Sequence, residues 1–195
     1  MANTLSKFGV PLGGGDGRGG QLQPNYKYRF RVRVINFGPV AGGIEITQQV
    51  QTVSKPTLSH EPITVDAYNS RANYAGKHTW EPISLVLKDD MTNKVSRLVG
   101  HQMQKQLNHF EQTAFAAGVN YKFTMYIETM DGGNDTVVEQ WVLEGCFVES
   151  AQFSDLDYSD SSFQTTTLQI RYDNATMSDG LMTTVPEMIN GINIG

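Results

Sequence analysis

Four histidines, an aspartate pair, an acidic cluster and one cysteine are the side chains of this 195-residue sequence whose types suit metal binding, proton transfer or nucleophilic attack. His60, His78, His101 and His109 do not fall at metal-ligand spacing. His101 and His109 stand eight apart on an expected helix, about 12 Å of rise, too far to share an ion. Asp89-Asp90 sits just before that helix, where negative charge favours the free N–H groups of the first turn, so its position needs no catalytic role. Asp155, Asp157 and Asp160 could hold calcium, yet the twelve-residue loop pattern with its closing glutamate is missing. Cys146 falls in an expected strand and reads as a small buried apolar group. Gly15, Gly17 and Gly20 match G-x-G-x-x-G in form, but Pro24 and a strand follow where a phosphate-binding turn needs a helix. The sequons Asn134-Asp135-Thr136 and Asn174-Ala175-Thr176 carry weight only in a secreted chain. No catalytic, cofactor or metal site is expected, and the reading is of a non-enzyme.

The scaffold around these residues is bounded by composition. Hydrophobic residues make up 39% and charged residues 18%, enough for one cored domain and too few charges for global disorder. A single cysteine excludes an internal disulfide, and no apolar run approaches the ~20 residues of a membrane helix. The first seven residues lack a signal-peptide core, so a product made in the cytoplasm is expected. The net charge of −5 conceals an asymmetry: residues 1–110 carry a net +6 and residues 111–195 a net −11. The split is either uneven sampling of a solvated surface or two faces of opposite charge that could join copies head to tail. An acidic total argues against a dedicated duplex binder.

The expected elements are mostly strands. A glycine-rich arm spans 1–24. Tyr26, Tyr28, Phe30, Val32 and Val34 then alternate with Lys27, Arg29, Arg31 and Arg33, a period-two pattern with one apolar face. The cationic comb reads as a solvated face, a subunit contact or, less well given the acidic remainder, a nucleic-acid surface. Further strands are expected over 44–53, 63–68 and 83–88. One helix is expected from Thr92 to Gln112, with Val95, Leu98, Val99, Met103, Leu107 and Phe110 on its core stripe and Thr92 or Asn93 as cap. Strands over 121–130 and 136–148 flank Asp131-Gly132-Gly133-Asn134, a hairpin turn signal. A last strand is expected over 163–172, and the tail, with Met177, Met182 and Met188, has no clear period. Strands, one helix and strands again predict a mainly β fold: an antiparallel sandwich or barrel of two packed sheets with one flanking helix.

Tyr68-Asn69-Ser70-Arg71-Ala72-Asn73-Tyr74-Ala75-Gly76-Lys77-His78-Thr79-Trp80, running on to Leu85-Val86-Leu87-Lys88-Asp89-Asp90, resembles the tail tube proteins of T4-type contractile-tailed bacteriophages. They share an N-x-R-x-x-x-A-G-x-x-T-aromatic stretch followed by an apolar strand ending in acid. A second segment, Gly145-Cys146-Phe147 through Leu156-Asp157-Tyr158 to Thr167-Leu168-Gln169-Ile170-Arg171-Tyr172-Asp173, is similar to that family's closing strand pair with an acidic aromatic turn. The resemblance covers roughly residues 25–175, taken as the tube domain, with 1–24 and 176–195 as extensions outside it.

The resemblance implies subunits that close hexameric rings, their strands joining into a β-barrel around a lumen, with rings stacked in a twist. It implies a virion tail tube that conducts DNA, behind a tape-measure protein, without binding it specifically. A contractile sheath surrounds such a tube, with baseplate and tail-terminator proteins at its ends. On this reading Asn69, Arg71, Tyr74 and Gly76, in an expected loop, and Arg29, Arg31 and Arg33, facing the acidic half, are subunit-contact residues. Glu45, Thr47, Gln49 and Gln51, with Thr165, Thr167 and Gln169, are lumen-facing candidates; the plain alternative is that they face solvent or another sheet. Two rivals stand beside it. One is a tube subunit of a contractile injection or secretion system; the other is a monomeric carbohydrate-binding β-sandwich using Trp80 or Trp141 as stacking platforms.

Overall fold

The computed structural model describes residues 25–39, 42–114, 118–131 and 136–179. Within them the chain forms twelve strands and one α-helix. The main path of paired strands uses β1 (Phe30–Ile35), β2 (Gly43–Glu45), β3 (Val50–Val53), β6 (Ile83–Lys88), β9 (Phe123–Met130), β10 (Val137–Phe153), β11 (Thr165–Arg171) and β12 (Asn174–Asp179). Their order is β2-β1-β9-β10-β11-β6-β3, with β12 also on β10, and every pairing is antiparallel.

Strand β10 belongs to two sheets. Its first half, up to Cys146, pairs with β9 and β12; from Phe147 on it pairs with β11. The change falls at Gly145, whose φ of 68° lies in the left-handed region that favours glycine. A Cβ there would stand 2.2 Å from the Asp173 carboxylate, so the bend and its close packing both require glycine. The two sheets fold over one core. Val32, Val34, Met125, Ile127 and Leu143 enter from one side, and Leu85, Leu87, Leu168 and Ile170 from the other. Alternation along β6 and β11 delivers one buried residue in two, as a half-buried strand requires.

Helix α1 (Lys94–Gln106) covers the open side of the core with Val95 and Val99, half-buried Leu98 and Met103 packing beside them. The aspartate pair caps it. Asp89 accepts bonds from the Val95 and Ser96 amides (3.1 and 3.2 Å), and Asp90 from those of Thr92 and Lys94 (3.0 and 3.2 Å). Burial pushes the Asp89 carboxyl up, but the bonds from Ser96, Asp90 and Val95 outweigh it and hold it below the usual carboxylate range. Asn93 occupies the cap position in a left-handed conformation and its side chain makes no capping bond, contrary to the expectation for Thr92 or Asn93. Fully buried Gln102 anchors the helix, accepting from the Gly38 amide (3.0 Å) and donating to the Tyr121 carbonyl (2.6 Å). Gln106 likewise pairs with both backbone groups of Val148.

Five expectations give way here. The helix stops at Gln106 rather than Gln112, because Asn108 Oδ1 accepts the Phe110 and Glu111 amides and turns the chain into β7 (Leu107–Asn108) and β8 (Thr113–Ala114); Phe110 is exposed instead of core. The strand over 44–53 is two strands in different sheets, broken where Val50 donates back to Ile46. The segment over 63–76 forms β4 (Thr57–Ala67) and β5 (Ser70–Glu81), a long hairpin where a short strand and a loop were expected. The tail after Asn174 begins with an ordered strand, β12, that pairs with β10. Tyr26 and Tyr28 precede β1 and lie exposed rather than on its apolar face. The β9–β10 hairpin is formed as expected, although its Gly132–Asn134 turn, like the 1–24 arm and Met182 and Met188, lies outside the described residues.

Asp89→Ala should leave the first-turn amides unpartnered and lower stability by about 0.5–2 kcal/mol in urea unfolding, with the native spectrum retained.

Candidate assembly interface

Two groups of the sequence-derived contact residues fall on two distinct structures. Arg31 and Arg33 lie on the outer face of the first sheet, alternating with inward Val32 and Val34. They close on Glu128 of β9, which is only 1% exposed. Arg31 Nε stands 2.6 Å from Glu128 Oε2, Arg33 binds Oε1, and Gln140 Nε2 donates to the same Oε1 at 2.9 Å. Burial pushes the Glu128 carboxyl up, yet the bonds and charges of the two arginines outweigh it and keep it below the ordinary glutamate value. These cations thus meet the acidic half of the sequence inside one subunit. Arg29 stands apart: its guanidinium donates to the Asp131 carbonyl at 2.5 Å and lies 4.9 Å over the Tyr26 ring.

The other group lies on the β4–β5 hairpin, which among the described residues pairs with no other strand. All of β4 is exposed, and on β5 only Gly76 and Trp80 are half-buried. Its distal half is amphipathic. Ile63 opposite Tyr74 and Val65 opposite Ala72 make one face; Thr64 opposite Asn73 and Asp66 opposite Arg71 make the other, with Arg71 and Asp66 2.6 Å apart. Asn69 forms the tip with Tyr68, whose φ of 50° is uncommon for an aromatic residue and whose ring is fully exposed. Gly76 marks a shift of register, where a Cβ would come within 2.5 Å of the Glu61 carbonyl. The root of the hairpin is held by Trp80, packed 5.7 Å from the Tyr172 ring and against the core.

The lumen candidates separate as well. Thr165, Thr167 and Gln169 stay together, half-buried on the outer face of the second sheet opposite Lys88, Val86 and Ser84. Glu45 is exposed opposite Arg33, and Gln51 is exposed on β3. Thr47 instead ties its hydroxyl to the Val32 backbone, and Gln49 turns toward Leu87 and the helix. Those four residues therefore share no face, because their strand is broken. Trp141 is half-buried with its Nε1 donating to Glu139 at 2.6 Å, so neither tryptophan is an exposed stacking platform. Among the described residues no group of three or more metal-ligating side chains converges. Sequence reasoning missed Ile63, Val65 and Tyr68 as surface-forming residues, although the alternation Ile63-Thr64-Val65-Asp66 carried the signal.

Glu128→Gln should weaken the arginine clamp by about 1–3 kcal/mol. Because its carboxyl is held low in the folded state, its contribution is present above the ordinary glutamate value of about 4.3 and fades as pH falls below it toward the folded value. Urea midpoints measured from pH 6 down to pH 3 should drop less steeply for the variant.

No family model matches the chain, and no curated protein matches it in sequence. Solved structures do match. A chain of the anti-feeding prophage baseplate is 20% identical, with a TM-score of 0.62, covering 82% of this chain and 99% of that one. A chain of the sheath–tube complex of an extracellular contractile injection system in its extended state is 14% identical, with a TM-score of 0.60 and coverages of 81% and 93%. The SPP1 tail tube is 12% identical, with a TM-score of 0.56 and 88% of each chain covered. The chain shares the fold of the tube-type proteins of phage tails and contractile injection systems.

Proposed function

We propose that this chain is the repeating subunit of the inner tube of a contractile tail, and that the β4–β5 hairpin is its principal contact with neighbouring copies. The observation that carries the proposal is the hairpin itself. An isolated two-stranded ribbon is marginal in water. This one nevertheless runs 11 and 12 residues in its two strands with an apolar strip open to solvent. A second copy that covers Ile63, Val65 and Tyr74 resolves that conflict. Asn69, Arg71 and the tip ring of Tyr68 lie where such a contact would be read. The same contact repeated by a rotation closes a ring, for which six copies are the expectation, and rings then stack into a hollow tube.

In that tube Thr165, Thr167 and Gln169 line the lumen with small, uncharged polar groups, and DNA passes without specific binding. A sheath, a tape-measure protein, a baseplate and a terminator are the partners this role requires. The same subunit would serve a contractile injection particle equally well, a reading favoured by the likeness to chains of two such particles. Neighbouring capsid and terminase genes mark the viral case.

Negative-stain microscopy with light scattering of the purified protein tests the reading. Rings or hollow tubes of uniform width are the expected result. Strict monomers that also fail to extend from supplied baseplates overturn it. Ile63→Asp with Val65→Asp should abolish assembly while changing monomer stability by no more than about 0.5 kcal/mol, as befits surface positions. Gly76→Ala, which forces the ribbon's backbones apart, should lower assembly in the same assay.

A further inference from the structure

A groove of about 770 Å³ opens beside the start of β1, lined by Tyr26, Tyr28, Arg29, Val53 and Lys55 among others. The two tyrosine rings lie 5.4 Å apart, and Arg29 sits over both of them. Lys55 is paired with Glu139, but among the described residues no carboxylate pairs with Lys27 or Arg29. The surface is therefore apolar at its floor and cationic at its rim, and Tyr28 is 70% exposed.

The complementary surface lies at the far end of β10. Between Phe153 and Thr165 the chain carries Asp155, Asp157 and Asp160 and no basic residue. The same segment holds Leu156, Tyr158 and Phe163 almost fully in solvent. It is a shaped loop: Asp157 accepts the Ser159 amide at 2.9 Å and Asp160 the Ser162 amide at 2.8 Å. None of its residues lines the groove of its own chain. Glu139, which holds Lys55, and Phe153, which opens the loop, stand near opposite ends of the 17-residue β10. Roughly 45 Å of strand, at about 3.3 Å per residue, separates them along the chain.

We propose that the loop over 154–164 of one copy seats in the Tyr26–Arg29 groove of the next, Leu156, Tyr158 and Phe163 against the tyrosine floor and the aspartates against Lys27 and Arg29. The inference rests on the tube reading and assigns it an axial contact separate from the hairpin. A patch at one end of a strand that fits a patch at the other end is heterologous, and such a contact propagates along an axis wherever its rotation does not close a ring. Opposite charge at the two ends sets the polarity of addition, because like ends meeting would juxtapose like charges. It also makes the contact more sensitive to salt than the apolar hairpin contact.

The experiment places photoreactive p-benzoylphenylalanine at position 28 of the full chain, lets it assemble, irradiates it and maps the cross-linked peptide by mass spectrometry. A link to residues 154–164 of a second copy is expected. A link to residues 1–24 or 180–195, or to any other segment, overturns the contact while assembled particles leave the tube reading standing. If no particles form under conditions where wild type assembles, Lys27→Glu with Arg29→Glu supplies the second arm. That variant should raise the protein concentration needed for stacking roughly tenfold or more while rings persist, and Asp155→Lys should restore part of the loss. Stacking at the wild-type concentration overturns the proposal, and wild type that forms no assembly even when baseplates are supplied removes the tube reading along with it.

Discussion

The bend of β10 at Gly145 is the constraint on which the rest of the molecule depends. One continuous strand runs through both sheets, between β9 and β12 in the first and beside β11 in the second, so a covalent path ties the two sheets together. The change of direction is made in a single residue with a left-handed φ, and the Asp173 side chain closes against the hydrogen face of that residue. Asp173 is in turn held by Lys122, 2.5 Å away, at the entrance to β9. The bend, the last strand and the first sheet are therefore fixed to one another at one corner, and the core is whatever volume the corner leaves between the sheets.

The surfaces on this frame differ in how much they rely on their own chain. The outer face of the first sheet is satisfied internally: a buried glutamate between two arginines and a glutamine leaves no unmet charge on Glu128. Such a clamp rigidifies a sheet because removing either sign leaves the other uncompensated. The hairpin has the opposite character. Its backbone is paired while its side chains beyond the Trp80 root lie largely in solvent, so its shape is set by this chain and its stability depends on what covers it. The body is complete within its own chain and the arm is not.

Local physics was legible in the sequence where one residue's neighbours are its near neighbours in the chain. The alternation of Val32 and Val34 with arginines, the stripe of Val95, Val99 and Met103, the two aspartates ahead of the helix and the buried thiol of Cys146 all came through. Burial pushes that thiol up to about 12, as expected of a packed rather than a reactive cysteine. What failed depended on distant partners. Residues 44–53 look uniform in composition, yet Ile44 pairs with Val34 while Val50 pairs with Leu87, and no local signal marks the exchange. The stripe ran on to Phe110 because periodicity records where a helix would bury its face, not where an asparagine withdraws the amides it needs. Of the expected contact residues, Arg31 and Arg33 pair with an acid that lies 97 and 95 residues away in the same chain.

The separation between β1 and β9 has a consequence for the order in which the molecule comes into being. The β4–β5 hairpin closes over contacts only a few to about two dozen residues apart, and such ribbons form within microseconds. The first sheet cannot form until β9 follows β1 by nearly a hundred residues, and pairings of that range are slow. A chain emerging from the ribosome can therefore close its β4–β5 arm well before its first sheet. The exposed strip of Ile63, Val65 and Tyr74 is thus in place while the core that will carry it is still being synthesised.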